Sequence, residues 1–176
     1  MVKLIIGAVI AVFLVIGGFM LLDPVINPST VTDTVEVSDT HTFTIEGEVS
    51  KVGTYTLADA VSMADLINAA GGVSSNADDR SYFESATLKA GETYFIASRY
   101  DASDVCGNSE INKVNINADS AETLMGINGI TSSVASSIVS YRAEKGSFQT
   151  LEDLKNVYGI GDATYRRIRN YVILHE

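Results

Sequence analysis

Leu124-Met125-Gly126-Ile127-Asn128-Gly129-Ile130-Thr131 is rewritten 30 residues later as Leu154-Lys155-Asn156-Val157-Tyr158-Gly159-Ile160-Gly161. The same offset carries Ile138 to Ile168 and Tyr141 to Tyr171. Each copy reads as a helix, a tight Gly-containing turn and a second helix, so the stretch is a duplicated supersecondary unit. Around it, Asn117 or Asp119 is a candidate cap for the first helix, and Asp119-Ser120-Ala121-Glu122 has capping-box spacing. Val134, Ile138 and Tyr141 share one face of the second helix, which Gly146 ends. Thr150 is placed to cap the third, with Leu151, Leu154 and Val157 as its buried stripe. Ile160, Tyr165, Ile168 and Val172 close a predicted four-helix, pseudo-symmetric unit.

The turns carry the chemistry. Gly159-Ile160-Gly161 stands immediately before a helix. Two glycines let backbone approach a ligand, and the apolar Ile160 pins the turn. The unpaired N–H groups and positive dipole end of the following helix then form an anion site. Arg166, Arg167 and Arg169 follow on that helix, and Lys155 precedes it. Guanidinium and N–H donors around one exposed turn suit a phosphodiester backbone. The pattern makes Gly129, Gly159 and Gly161 candidate backbone donors, and Arg142, Lys155, Arg166, Arg167 and Arg169 candidate phosphate partners. Lys145 and the hydroxyls of Ser132 and Ser133 are secondary candidates. The plain alternative is that glycine turns between helices are only turns.

Net charge is −10, which at first argues against a nucleic-acid partner. Its distribution removes the objection. Residues 1–111 hold five Lys/Arg and fifteen Asp/Glu, whereas residues 112–176 hold seven of each. All the excess acid lies outside the repeat. No Ser/His/Asp, Cys/His or carboxylate–metal constellation accompanies the turns, so neither catalysis, a metal nor a cofactor is expected. Asp78-Asp79 and Asp101-Ala102-Ser103-Asp104 read as a solvated acidic face.

Leu4 to Leu22 is an apolar run of 19 residues, enough to cross a hydrocarbon core of about 30 Å as a helix. A cleaved signal peptide is the alternative, but its apolar region is shorter and ends at a small-x-small site. Phe19-Met20-Leu21-Leu22 is not such a site. Residues 1–22 are therefore predicted to be an anchor, with Lys3 inside and the bulk of the chain outside. Residues 23–41, with Pro24, Pro28 and many Ser, Thr and Asp, read as an extended spacer. The single cysteine, Cys106, lies in a predicted linker over 101–112, as a free thiol or as a partner for an intermolecular disulfide.

Between spacer and linker, Phe43 and Ile45 alternate with polar residues as in a half-buried strand. Val52-Gly53 supplies a turn and Thr54 to Leu57 a second strand. Met63, Leu66, Ile67 and Ala70 have the spacing of a helix face that Gly71-Gly72 terminates. Ala86–Leu88 and Thr93–Ile96 read as a further strand pair around Gly91. Residues 42–100 thus form a small α+β unit, marginal in size if it had to be stable alone.

Two resemblances follow from these residues. Ile45-Glu46-Gly47-Glu48-Val49, Gly53-Thr54-Tyr55, the helix Ala64 to Ala70, Gly71-Gly72-Val73 and Asn76-Ala77-Asp78 resemble the SLBB (soluble-ligand-binding β-grasp) family. Val52 stands where that family usually has proline. Val114-Asn115-Ile116-Asn117, Ala121 to Met125, Gly129-Ile130, Ala135 to Ile138, Tyr141-Arg142 and Gly159-Ile160-Gly161 resemble the double helix-hairpin-helix domain. Within it they are most similar to the ComEA-type receptors of bacterial DNA uptake. The likeness extends over anchor, spacer, SLBB-like unit and the hairpins at 113–176.

The resemblance implies an α+β chain with one transmembrane helix, a β-grasp-like domain and an all-α double hairpin domain. It also implies sequence-independent binding of double-stranded DNA and its delivery to a membrane channel, at the bacterial cell surface. Self-association through the SLBB-like unit is compatible with it. The first hairpin departs from the family's Pro-Gly-Ile-Gly, having Asn128-Gly129-Ile130-Thr131. Its helix carries Ser132, Ser133, Ser136, Ser137 and Ser140 where basic residues are common; hydroxyls bond phosphate but release no counterions. The second hairpin is therefore expected to be the stronger clamp. The competing reading is an envelope scaffold whose SLBB-like unit binds glycan or protein while the hairpins merely pack.

Overall fold

The computed structural model describes residues 39–58, 60–101, 103 and 109–176. The predicted anchor over 1–22, all of the spacer before Asp39 and Cys106 lie outside the described residues. Among those described, no helix is long and apolar enough to cross a membrane.

Alternation of Phe43 and Ile45 with polar neighbours produces β1 (Thr40–Gly47), which begins two residues inside the predicted spacer. It pairs antiparallel with β2 (Gly53–Ala58), with Phe43 opposite Tyr55. Helix α1 (Met63–Ala69) follows, its Ser62 cap and Asp65 carboxylate forming a reciprocal capping box. The chain then returns as β3 (Thr93–Ile96), parallel to β1, giving the sheet order β2-β1-β3. The predicted pairing of Ala86–Leu88 with Thr93–Ile96 does not form. The first segment spends its backbone groups on the entry to α1, with Met63 N–H bonded to Ala86 O and Leu88 N–H to Val61 O. The open edge of β1 takes Thr93–Ile96 instead, which buries Tyr94 and Ile96. Phe43, Ile45, Met63 and Leu66 complete this lobe's core.

The second lobe contains α2 (Ala121–Leu124), α3 (Ser132–Lys145), a 3-10 helix (Leu151–Asn156) and α4 (Asp162–Ile168). Its ends are joined by a short parallel pair, β4 (Val114–Asn115) with β5 (Val172–Ile173), which the residue pattern did not announce. The third helix is 3-10 rather than α. Leu151, Leu154 and Val157 recur every three residues, the period that puts all three on one line of a 3-10 helix. The cap of α2 is Ser120, whose hydroxyl accepts from Thr123 N–H at 3.3 Å. The two predicted caps serve the lobe's closure instead. Asp119 accepts from Asn115 N–H at 2.8 Å, and the Asn117 amide reaches Phe148 and Leu174.

A charged and polar seam joins the two lobes across the predicted linker. Asp78, predicted to be solvated, is fully buried. Arg80 meets it with two contacts of 2.9 Å, and Lys113 Nζ lies 2.8 Å from Oδ2 with its own side chain 1% exposed. Nearby, Phe95 N–H donates to Glu152, Ser98 N–H to Asn170 and Leu174 N–H to the carbonyl of Arg80. Phe83 stacks on His175 at 4.7 Å. Apart from the Arg80–Asp78 pair, which lies within the sheet lobe, each contact joins one lobe to the other, so the orientation of the hairpins is set by the sheet as well as by their own core.

Candidate nucleic-acid interface

The two turns are built alike. Ile130 N–H bonds Ile127 O at 3.0 Å in the first, and Ile160 N–H bonds Val157 O at 3.1 Å in the second. Gly129 (φ +111°) and Gly159 (φ +91°) occupy the third turn position, where positive φ excludes most side chains. Ile130 and Ile160 are buried beneath them. Each turn packs on the other copy's second helix. A Cβ on Gly129 would fall 2.9 Å from Arg167 Cδ, and one on Gly159 would fall 3.1 Å from Val134 Cγ2. The duplication therefore brings both turns together rather than presenting them separately.

The turns differ where their helices begin. Thr131 caps α3, its hydroxyl accepting from Val134 N–H at 3.3 Å. Its place in the second copy is taken by Gly161, which caps α4 with no side-chain hydrogen bond and has open space at its Cβ position. Threonine in place of glycine thus satisfies a donor that α4 leaves available. Asp162, in the first turn of α4, is an acidic neighbour that works against a phosphate there.

The cations divide sharply. Arg166 and Arg167 are exposed on α4, and among the described residues neither makes an ion pair. The stem of Arg167 runs against Gly129, so a cation carried by the second hairpin serves the first turn as well. Ser132 and Ser133 are exposed at the start of α3. Lys145 is exposed too, but at the far end of this 14-residue helix, roughly 20 Å from the turns at 1.5 Å per residue.

The remaining three candidate phosphate partners are half-buried and already engaged by protein groups. Arg142 donates to the carbonyls of Ile116 at 2.8 Å and Asp119 at 2.7 Å. Arg169 pairs with Glu46 at 2.9 Å, and its guanidinium lies 3.8 Å from the Phe95 ring centroid. Lys155 pairs with Glu92 at 2.8 Å and sits over the Tyr165 ring. Helical spacing held the signal for two of them. Arg169 continues the buried stripe Tyr165, Ile168, Val172, and Arg142 continues Val134, Ala135, Ile138. Arg169→Ala is expected to lower stability by about 1–2 kcal/mol, through the ring and ion-pair contacts at a partly exposed site. Thermal melting checks that loss, and duplex titration should show affinity unchanged within about twofold.

The helix-hairpin-helix motif family matches residues 109–173. ComE operon protein 1 of Bacillus subtilis is 31% identical over 146 residues, covering 78% of this chain and 71% of that protein. The chain belongs to the ComEA-type family of competence DNA receptors. Shorter matches each cover about a third of this chain. An endonuclease/exonuclease/phosphatase family domain-containing protein 1 of Bos taurus is 45% identical over 60 residues, a third of this chain and a tenth of that protein. An uncharacterized protein of Haemophilus influenzae is 40% identical over 62 residues, 35% of this chain and 55% of its own length. In this ComEA-type chain the motif match takes in both glycine turns and α4, while the longer match extends beyond the hairpins.

Proposed function

We propose that the chain is a membrane-anchored extracellular receptor that binds double-stranded DNA without sequence preference and passes it to an uptake channel in natural transformation. The observation that carries this reading is the meeting of two like turns beside Arg166 and Arg167, with Arg167 lying against Gly129. Backbone donors at Gly129, Gly159 and Gly161, the Ser132 and Ser133 hydroxyls and the two arginines all contact phosphate, which carries no base information. The 19-residue apolar run supports a single-pass anchor in the bacterial cell membrane with the lobes outside. The sheet lobe acts as an SLBB-like platform open to self-association, and the protein is not an enzyme.

The test is titration of random-sequence duplexes against the full-length chain across a salt series. Affinity should fall steeply with salt and vary little with sequence. Arg166→Ala and Arg167→Ala should each lower affinity by roughly tenfold and reduce the salt slope by about 1. Gly161→Val should fold, with a cap penalty of about 1 kcal/mol, yet bind duplex poorly because its side chain fills the open approach. If the chain fails to shift any duplex at low salt, the receptor reading falls and the scaffold reading replaces it.

A further inference from the structure

Tyr158 is the most exposed large apolar side chain among the described residues, at 86% against 61% for Val52 and 45% for Tyr171. It stands between buried Val157 and the positive-φ Gly159, in a turn closed by a hydrogen bond and anchored by buried Ile160. The backbone therefore holds the ring out at the apex, on the same four-residue turn as Gly159 and three residues before Gly161, the cap of α4. In the first hairpin the corresponding position is Asn128.

The ring borders an open depression of about 550 Å³ that runs along α3 past Ser133, Ser136, Ser137 and Ser140. Glu144 lines it too, one helical turn beyond Ser140. Tyr141 also lines it, half-buried and stacked on Phe148. Two rings among hydroxyls offer far too little apolar area for a protein interface, which takes about 800 Å² per partner. It does suit a nucleic-acid backbone, in which an apolar deoxyribose face alternates with a phosphate that hydroxyls can bond.

We propose that Tyr158 is a DNA-contact residue, its ring packing on the deoxyribose next to the phosphate held at the second turn, with Ser133 and Ser136 bonding the adjoining phosphate. This inference rests on the receptor reading above and adds to it an uncharged part of the contact. An aromatic ring and hydroxyls release no counterions. Their loss lowers affinity at every salt concentration alike, unlike the loss of an arginine.

The chain contains no tryptophan, so Tyr158→Trp places a single tryptophan, excited selectively over the tyrosines, at the apex, and Val52→Trp places one on the other lobe as a control. With detergent present for the apolar N-terminal segment, the full-length Tyr158→Trp variant should change emission on saturation with a random duplex, and Val52→Trp should not. Tyr158→Ala should melt within a degree or two of the parent. It should bind duplex roughly fivefold more weakly, the order expected for one aromatic face removed from water, with an unchanged salt slope. Undiminished affinity of Tyr158→Ala, or unaltered emission of Tyr158→Trp in a saturated complex, overturns the inference while leaving the receptor reading intact. Absence of duplex binding by the parent chain overturns both.

Discussion

Asp78→Asn is expected to lower the unfolding free energy of the chain by roughly 3–5 kcal/mol, the cost of leaving one member of a buried ion pair without its partner. Asp78 is fully buried, Lys113 is 1% exposed, and Lys113 Nζ has no hydrogen bond among the described residues beyond this ion pair. Burial by itself would raise the carboxyl's pKa. The Arg80 hydrogen bond, followed by the bond and charge of Lys113, outweighs burial and holds it well below the usual carboxylate range. Burial pulls the Lys113 ammonium in the opposite direction, below its ordinary value. The pair's contribution is thus present above the ordinary aspartate value near 3.8 and is lost as pH falls below it. Urea unfolding at pH 7 measures the effect. The double variant Asp78→Asn/Lys113→Met should recover part of it, because the buried ammonium is removed while the partly exposed Arg80 still lacks its carboxylate.

The second large effect has the opposite sign with pH. Glu152 is buried between the 3-10 helix, β3 and α4. Its Oε1 accepts from Phe95 N–H at 2.9 Å and Tyr165 O–H at 2.6 Å, while Oε2 has no partner among the described residues. Burial pushes its carboxyl from near 4.5 up to about 7, only partly countered by the Tyr165 and backbone hydrogen bonds and by the charge of Lys155. Tyr165 is raised by burial and by the adjacent Glu152, so its hydroxyl stays protonated and donates. The folded chain holds the Glu152 proton more tightly than the unfolded chain does. Stability from this group is complete below about 4.5, declines as pH rises and is gone above about 7. At 1.36 kcal/mol per pH unit the loss is roughly 3 kcal/mol. Glu152→Gln, neutral throughout, should gain roughly 2–3 kcal/mol on the parent between pH 5 and pH 8. Parallel urea curves for the two proteins at both pH values check it, and a constant difference would refute the linkage.

Local periodicity made much of this legible from residues alone. Phe43 and Ile45 alternate, the spacing of Met63, Leu66 and Ile67 marks a helix, and a 30-residue offset exposes the duplicated turns. What escaped is carried by partners far apart in sequence. Glu152 meets Phe95 across 57 positions and Arg169 meets Glu46 across 123. No window of sequence contains both members, so Asp78 reads as a surface acid and Arg169 as a surface cation. β3 was legible as a strand over Thr93–Ile96, but its pairing was not, because its neighbour is β1 rather than the segment just before it. At the site, the positions of the glycines were legible, and stripe spacing set Arg142 and Arg169 apart, but the partners that hold the inward cations were not legible. Arg166, Arg167 and Arg169 are near neighbours of one type, and it is the ion pair with Glu46 that shows two of them facing solvent and one holding the lobes together.

The sheet order gives the seam a mechanical meaning. β1 is the central strand and also the first described element, so a pull from the N-terminal side enters the protein along a strand bonded on both edges. Such a load shears two rows of hydrogen bonds at once instead of peeling an edge strand away one bond at a time. Glu46, near the far end of that strand, grips Arg169, and Arg169 directly follows the helix that carries Arg166 and Arg167. With the anchor and the DNA contact proposed above, tension between them would pass through β1, Glu46 and Arg169 into α4, a short load path that does not cross the segment between the lobes.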